Sequence, residues 1–308
     1  MKAKDIFAKT TKFIWLKLAM GAAITVVSVI LLALFMLFGT LIGGSAPIFM
    51  GLFWIGCTWG VYRFAMGYIG YLIKAGHVAV IAEICTTGNV PADMFNYGKE
   101  KVKARFATSS VYFAVDRLVS GSVRQLQSAS GKVGELFSAI PGMSFITSLV
   151  QTFIGVVLGY IDECCLGWCF VKEEENSFKA SCDGVVIYFQ NIKHLLKSSA
   201  KVTLLVVALT FLAWLVPFLL LVGLFKLLNW SIALAIVLAI IIAATLKSAF
   251  IDSWMMIEMM TSYMEVAPST EISFDLYDKL CKLSRKFRQL FEKGREQAAP
   301  VPEAQQGI

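Results

Sequence analysis

Residues 202–225 read VTLLVVALTFLAWLVPFLLLVGLF, a run without a single charged side chain. A second uncharged run, residues 227–246, follows directly after Lys226, and a third extends from Leu18 to Gly44. An α-helix needs about 20 apolar residues to cross the hydrocarbon core of a bilayer. Each run meets or nearly meets that length, so the sequence predicts a polytopic membrane protein built from helices.

The composition of the whole chain supports this prediction. Of its 308 residues, 57% are hydrophobic and only 16% are charged, and the mean hydropathy is +0.71. Average soluble domains have about 45–50% apolar and about 25% charged residues. This difference argues against a soluble enzyme and an intrinsically disordered chain. The odd number of seven cysteines does not fit a secreted disulfide framework.

The formal net charge of +7 is concentrated at the ends of the apolar runs. Five lysines precede Leu18, eight lysines or arginines lie between Lys74 and Lys132, and seven lie between Lys279 and Arg295. Such an excess beside membrane spans is typical of cytoplasmic segments. We therefore expect both termini to be cytoplasmic and the lipid bilayer to be a partner. No nucleic-acid recognition module is apparent, so we expect no nucleic-acid partner.

The predicted spans form two hairpins of similar plan. The first pairs Leu18–Leu41 with a span from Pro47 to about Ile73, and the second pairs 202–225 with 227–246. Each second span continues through a lysine into a longer helix that carries an acid: Lys74 and Glu83 in the first hairpin, Lys247 and Glu258 in the second. We expect these helices to end before Gly88 and Pro268. The similarity predicts a parallel internal repeat, which some transporters have.

A fifth apolar block, Met143–Ile161, makes the number of crossings ambiguous. An odd number would place one of the two basic termini outside, against the positive-inside bias. Either Met143–Ile161 is re-entrant, or region 108–140 contains a further partial crossing. The predicted fold class is therefore all-α, a bundle of four to six transmembrane helices, one of them re-entrant in the first case, with cytoplasmic amphipathic helices.

The chain divides into six predicted segments: 1–90, a first transmembrane hairpin with an extended helix; 91–141, amphipathic surface helices; 142–201, the third apolar segment and a cytoplasmic linker; 202–268, a second transmembrane hairpin with an extended Met-rich helix; 269–297, a basic C-terminal helix; and 298–308, a disordered tail. Within 91–141, apolar residues spaced 7, 4 and 7 apart favour a helix at the membrane surface: Phe95, Val102, Phe106 and Phe113.

The basic C-terminal helix has a heptad-like apolar stripe. Its residues are spaced 4, 3, 4 and 3 apart: Leu276, Leu280, Leu283, Phe287 and Leu290. This spacing fits the a and d positions of a short coiled coil. It fits a helix packed on the protein's own cytoplasmic face equally well.

Ionisable side chains inside predicted spans are the candidate site residues, because they are costly in a membrane and often functional. Arg63 lies in the second span, and His77 and Glu83 lie near the end of the helix that continues from it. Asp252 and Glu258 lie in the extended helix that continues from the last span. We expect them to line a solute or ion pathway, with Arg63 facing an acid of the last helix or a hydrated cavity. The alternative is that Arg63 reaches the membrane interface and the acids stand in cytoplasmic water.

Two sulfur-rich stretches are the candidates for metal binding. Residues 254–260 are rich in methionine, which binds Cu(I) but more often fills packed interfaces. The cysteines Cys164, Cys165, Cys169 and Cys182 match no zinc-site spacing, and juxtamembrane acylation or apolar packing explains them better. No catalytic signature is present. We therefore expect no metal, no cofactor and no enzymatic activity.

Residues 163–268 contain three groups of residues in a recognisable order. An Asn176-Ser177-Phe178 motif, with Ala180 and Gly184 after it, follows the three cysteines Cys164, Cys165 and Cys169. The last predicted membrane helix then carries Phe250, Glu258 and Glu265. In this order, residues 163–268 resemble the corresponding part of the choline transporter-like family. The resemblance covers about a third of the chain. It implies a cytoplasmic 163–201 segment and a transport function, and it transfers no substrate-binding residue.

These features predict an oligomeric channel or transporter for small solutes or ions. We expect a homo-oligomer, because four or five short-looped spans enclose little pathway alone. The alternative is a non-transporting membrane scaffold whose basic C-terminal helix recruits a partner or anionic lipid.

Overall fold

The computed structural model describes residues 1–106, 109–138, 153, 155–229 and 231–296. Every regular element in these ranges is helical, which confirms the all-α fold class. The α-helices with described bounds are α1 (Ala3–Lys9), α2 (Thr11–Ile42), α3 (Ala46–Phe64), α4 (Gly70–Thr87), α5 (Met94–Phe106), α6 (Ser109–Ser138), α7 (Ile161–Val171), α8 (Ser177–Gln190), α9 (Ile192–Leu227), α10 (Ile232–Leu246), α11 (Asp252–Val266), α12 (Phe274–Leu283) and α13 (Arg285–Glu296).

Two short π-helical segments interrupt the long helices. Helix α3 continues into α4 through Ala65–Ile69, the first π segment, and α10 continues into α11 through Lys247–Ile251, the second π segment. A 3₁₀ turn at Ala267–Ser269 ends the second of these helices. Each predicted hairpin thus has a π segment in its second helix, and this shared feature is consistent with the predicted repeat.

Four helices of the described chain are long and apolar enough to cross a membrane: Thr11–Ile42, Ala46–Thr87, Ile192–Leu227 and Ile232–Ser269. They match the two predicted hairpins, including the ends near Gly88 and Pro268. Large apolar side chains remain exposed on them, as on Leu41, Phe49 and Leu220 (74%, 65% and 68%). Such surfaces suit lipid rather than water. Most of Met143–Ile161 lies outside the described residues, so its crossing stays a prediction.

The chain folds into two compact units, each made of separate chain segments. One unit, Phe7–Ala75 with Leu205–Met255, contains most of both hairpins and is called the hairpin unit below. The other, Met1–Ile6 with Gly76–Leu204 and Met256–Ile308, is called the amphipathic unit. This division cuts across the predicted segments, since segments 1–90 and 202–268 each contribute to both units.

Small residues bring the helices of the hairpin unit together. Helix α2 packs against α3 and α10. A Cβ atom added to Gly21 would lie 2.1 Å from Cγ2 of Thr245, so α2 and α10 approach there as only glycine permits. Small residues have this role in membrane helix pairs in general. Trp54 is completely buried in the core beside them.

The core of the amphipathic unit includes α7 and α8, which pack against each other; α6 packs on both, and α13 packs on α8 and α6. These two helices lie in segment 142–201, which was predicted to contain the third apolar segment and a cytoplasmic linker, and nearly all of α7 and α8 is buried. The predicted C-terminal helix is divided into α12 and α13 at Ser284, whose hydroxyl accepts a hydrogen bond from the backbone N–H of Phe287 at 3.1 Å. Phe287 and Leu290 are fully buried, so this part of the stripe packs on the protein itself.

Candidate functional site

The hairpin unit contains a group of polar side chains that we call the polar cluster: Lys17, Lys247, Asp252 and Ser253. Lys17 lies on α2, two turns after its start, and the other three lie at or beside the second π segment. The buried side of α2 is a single face of small, polar and apolar residues, which includes Lys17, Gly21, Ile24, Ser28, Leu32 and Gly39. Helical periodicity therefore directs Lys17 into the unit.

Lys17 is the most buried charge of the polar cluster. Its side chain is only 7% exposed, and its Nζ donates a hydrogen bond to Oγ of Ser253 at 2.9 Å. This contact joins residues 236 positions apart in the chain. An ammonium group in a helix of this apolarity is costly to bury without polar partners.

Lys247 and Asp252 form an ion pair, with Nζ and Oδ1 2.5 Å apart. The two residues are five positions apart, and in a regular α-helix of 3.6 residues per turn they would be separated by about 140° around the axis. The π segment changes this, because its hydrogen bonds close between residues i and i+5. The backbone N–H of Asp252 accordingly donates to the carbonyl oxygen of Lys247. The π segment thus places both charges on one face.

The ion pair is only partly covered by the protein. The side chains of Lys247 and Asp252 are 43% and 34% exposed, respectively. The polar cluster therefore combines one buried ammonium group, a buried hydroxyl and a partly exposed ion pair. Such groups can bind a small polar or charged solute by replacing part of its hydration shell.

Further polar contacts follow the same side of α2. Oγ of Ser28 and Oγ1 of Thr58 are 3.0 Å apart, and the indole N–H of Trp54 donates to the carbonyl oxygen of Ser28 at 2.8 Å. These bonds satisfy polar groups that are buried between α2 and α3, and they hold the first hairpin together.

Two grooves on the hairpin unit are apolar. One, of about 200 Å³, lies between α3 and α10 and includes Thr58, Trp59 and Tyr62. The other, of about 700 Å³, lies among α2, α3 and the start of α10 and includes Met36, Pro47 and Leu234. Their linings suit acyl chains or another apolar surface better than a polar solute.

The structure divides the five predicted pathway residues between the two units. Arg63 and Asp252 belong to the hairpin unit, and His77, Glu83 and Glu258 belong to the amphipathic unit. Arg63 is exposed, and no described acid forms an ion pair with it. Asp252 has Lys247 as an ion-pair partner instead. A pairing of Arg63 with an acid of the last helix is therefore not seen among the described residues.

The other predicted residues have local structural settings. His77 is completely buried in α4, and Glu258 is half-buried in α11. Glu83 accepts a hydrogen bond from the hydroxyl of Tyr97 at 2.6 Å, which joins α4 to α5. Burial and this bond to a carboxylate both raise the pKa of Tyr97, so its hydroxyl stays protonated as the donor.

Sequence reasoning missed Lys17, which it counted with the other N-terminal lysines as a flanking charge. A signal was present, because Lys17, Gly21, Ile24 and Ser28 are spaced 4, 3 and 4 apart. That spacing places small and polar residues on one face of an otherwise apolar helix. In a membrane helix such a face predicts close packing and a buried polar contact.

The cysteines of α7 and α8 are packing residues. Cys164, Cys165, Cys169 and Cys182 are all free thiols and all buried. Burial raises the pKa of each, to about 11 for Cys169, whose Sγ lies 3.0 Å from Oγ of Ser181. No group of three or more histidine, cysteine or acidic side chains suited to a metal ion occurs within the described ranges.

The Asn176-Ser177-Phe178 motif has a structural role of its own. The side chain of Asn176 accepts a hydrogen bond from the backbone N–H of Phe178 at 2.8 Å and caps the N-terminus of α8. No protein-family model, curated protein or solved structure matches this chain. The resemblance of residues 163–268 to the choline transporter-like family stays a prediction.

Proposed function

We propose that this protein is an integral membrane channel or transporter for a small polar solute or ion, and that the polar cluster lies on its pathway. The observation that carries the proposal is the burial of Lys17 inside a candidate membrane span, hydrogen-bonded to Ser253. Ionisable groups at such positions face the interior of the bundle or a water-filled cavity and mark substrate or ion pathways.

Stability alone does not account for the polar cluster. Removing a charged group from water costs several kcal/mol even after the surroundings relax, and an apolar side chain of similar volume often serves the fold as well or better. The second π segment adds to the argument, since π-helical turns inside α-helices occur frequently at functional sites. The cluster is therefore better explained by the binding of a solute than by packing.

The two hairpins also favour transport. Each contains a long helix followed by a second helix with a π segment, Ala65–Ile69 in one and Lys247–Ile251 in the other. Structural repeats of this kind build many transporters, with substrate sites near the interface of the repeats. We include in the proposal that several copies assemble, because four candidate spans enclose little space and expose much apolar surface.

Flux measurements in reconstituted vesicles test the proposal. Lys17→Met keeps the length of the side chain and removes the charge. We expect it to lower the flux of the transported solute by about tenfold or more, because it removes a charge-assisted hydrogen bond that contributes about 2 kcal/mol. Lys12→Met is the matched control, because Lys12 lies on the same helix but is exposed. Thermal unfolding of both variants establishes that they are folded.

The possible results separate clearly. Transport by the folded Lys17→Met variant at the wild-type rate would remove the polar cluster from the pathway. Failure of the wild-type protein to move any member of a panel of small cations, anions and organic solutes would overturn transport itself.

A non-transporting scaffold is the second candidate function, and the exposed basic side chains of α12 and α13 favour it. Deleting these helices would not test it, because Phe287 and Leu290 are part of the core of the amphipathic unit. Neutralising exposed cations, such as Lys282 and Arg285, leaves the core intact. Loss of partner or lipid binding in such a variant, without any flux in the wild type, would favour the scaffold.

A further inference from the structure

We propose that a pocket formed by α6, α12 and α13 of the amphipathic unit binds a phosphate-bearing ligand. The pocket has a volume of about 580 Å³ and is lined by four basic side chains, Arg124, Lys282, Arg285 and Arg288, together with Gln125 and Ser128. We call it the basic pocket. The proposal is independent of transport, because it concerns neither the hairpin unit nor the polar cluster.

The charge of the basic pocket is unbalanced. All four cations are exposed, and none forms an ion pair with an acidic side chain in the described part of the chain. Four like charges that line one concave surface repel one another and raise the local positive potential. An anion that enters the pocket relieves this repulsion, so the arrangement favours anion binding.

The sequence at the start of α13 goes against the usual preference of helices. The first turn of α13 contains Arg285, Lys286 and Arg288, and it contains no acid. Basic residues are unfavourable there, because the N-terminal end of a helix already carries a partial positive charge. Residues that break a local rule in this way are expected at functional sites, where a ligand supplies the missing interaction.

The walls of the pocket are held in place by hydrogen bonds. Oε1 of Gln125 accepts from the hydroxyl of Ser284 at 2.8 Å and from the backbone N–H of Lys286 at 3.0 Å, which fixes α13 against α6. Nε and Nη2 of Arg288 donate to the carbonyl oxygen of Cys281 at 3.1 and 2.9 Å, which orients its guanidinium group. The remaining N–H groups of Arg288 are left for a ligand.

The chemistry of the lining selects phosphate among anions. Three of the four cations are arginines, whose planar guanidinium groups bind phosphate oxygens in pairs. A phosphate ester carries up to two negative charges and presents several oxygens, so it engages more of these cations than one carboxylate does. The volume is in the range of small-molecule sites, about 300–1,000 Å³. A lipid headgroup and a soluble phosphate compound share this chemistry.

The test uses the full-length protein in an uncharged detergent and two probes. Inorganic pyrophosphate, titrated against sodium chloride of equal ionic strength, represents a soluble ligand and is followed by the melting temperature. Phosphatidylglycerol, compared with phosphatidylcholine, represents a lipid headgroup and is followed by native mass spectrometry. The pocket variant is R124Q/R285Q. The control variant R117Q/K279Q removes the same charge from exposed positions on α6 and α12 that do not line the pocket.

We expect the wild type and the control variant to bind at least one probe, and the pocket variant to bind it about tenfold or more weakly, since two charge-assisted contacts are lost. Stabilisation by pyrophosphate alone identifies a soluble ligand, and selective retention of phosphatidylglycerol alone identifies a lipid. We also expect the pocket variant to melt at a higher temperature than the wild type at low salt without a probe, because repulsion is relieved. Equal responses of the two variants to both probes, or no response of the wild type to either, would overturn the proposal.

Discussion

Replacing Tyr277 with phenylalanine tests how the C-terminal helices are held in the amphipathic unit. The hydroxyl of Tyr277 on α12 donates a hydrogen bond to Oδ1 of Asp183 on α8 at 2.5 Å. The ring of Tyr277 packs against Phe287 and Phe291, with centroids 5.6 and 5.3 Å away. Tyr277→Phe keeps the ring and its contacts and removes only the hydroxyl, which bonds to Asp183 and also contacts the neutral thiol of Cys182.

The expected loss of stability follows from the burial of the acceptor. The side chain of Asp183 is 7% exposed, so water replaces the lost donor poorly. Hydrogen bonds to charged groups contribute about 1.5–3 kcal/mol, against about 0.5–1.5 kcal/mol for neutral pairs. We expect Tyr277→Phe to cost about 2 kcal/mol near neutral pH, which corresponds to about 4–8 °C in melting temperature.

The loss of stability depends on pH, and its sign follows from the pKa of Asp183. Burial raises this pKa above its usual value of 3.8, while the bond from Tyr277 and the charge of Lys179 oppose the increase. A group with a raised folded-state pKa contributes its full stability below the unfolded pKa and loses it as the pH rises through the folded pKa. Removing the hydroxyl raises the folded pKa further. The cost of Tyr277→Phe is therefore smallest at about pH 4, where it approaches that of a neutral pair, and increases as the pH rises from there through the raised folded-state pKa of Asp183.

Thermal unfolding in detergent across this pH range measures the effect. Tyr188→Phe is the matched control, because the hydroxyl of Tyr188 donates to the uncharged carbonyl oxygen of Val157 at 2.8 Å. Burial keeps the pKa of Tyr188 well above its usual range, so the control should show a smaller, pH-independent loss. If Tyr277→Phe costs no more than the control, or costs the same at every pH, the reasoning about a charged acceptor is refuted.

Three further predictions concern packing, capping and thiol chemistry. Gly98→Ala places a Cβ 2.7 Å from the carbonyl oxygen of Gly76 and should lower the free energy of unfolding by about 1–3 kcal/mol. Gly56→Ala, whose Cβ meets no atom within 4 Å, should not lower it. Equal melting temperatures of the two variants would contradict the contact at Gly98. Asn176→Ala should lower the free energy of unfolding by about 1 kcal/mol, because the N-terminal cap of α8 is lost. Ser45→Ala removes no capping hydrogen bond and should lower it less, and the reverse order would count against capping. A maleimide reagent should label the partly exposed thiols of Cys57, Cys85 and Cys281 in the native protein and reach the four buried thiols only after unfolding. Rapid native labelling at Cys164, Cys165, Cys169 or Cys182 would contradict their burial.

The elements that could be predicted from the sequence are those set by local chemistry. The three charge-free runs and the apolar stretch that starts at Pro47 predicted the four candidate spans, since hydropathy and length depend on neighbouring residues alone. The helix ends near Gly88 and Pro268 were predicted for the same reason. Gly88 adopts a φ of 76°, which favours glycine, and proline cannot continue a regular helix.

The contacts that could not be predicted join residues far apart in the chain. Lys17 meets Ser253, 236 positions away, and Gln125 meets Ser284, 159 positions away. Periodicity identifies a face of a helix but not the helix that covers it, so neither the polar cluster nor the basic pocket was recognised. The pairing of Lys247 with Asp252 was hidden for another reason, because sequence patterns give no sign of a π segment that shifts the register of a helix.

The amphipathic unit is assembled from separate chain segments, so its helices become available in a fixed order during synthesis. Helix α8 leaves the ribosome well before α13, the helix that packs on it. Until α13 is made, the side chains that later contact Phe287 and Leu290 stay unpacked. A nascent chain that ends at Leu283 lacks both residues and leaves these side chains exposed. Exposed apolar surface of this kind binds chaperones or aggregates. The interval between the synthesis of α8 and that of α13 is therefore the period in which a newly made chain most needs protection.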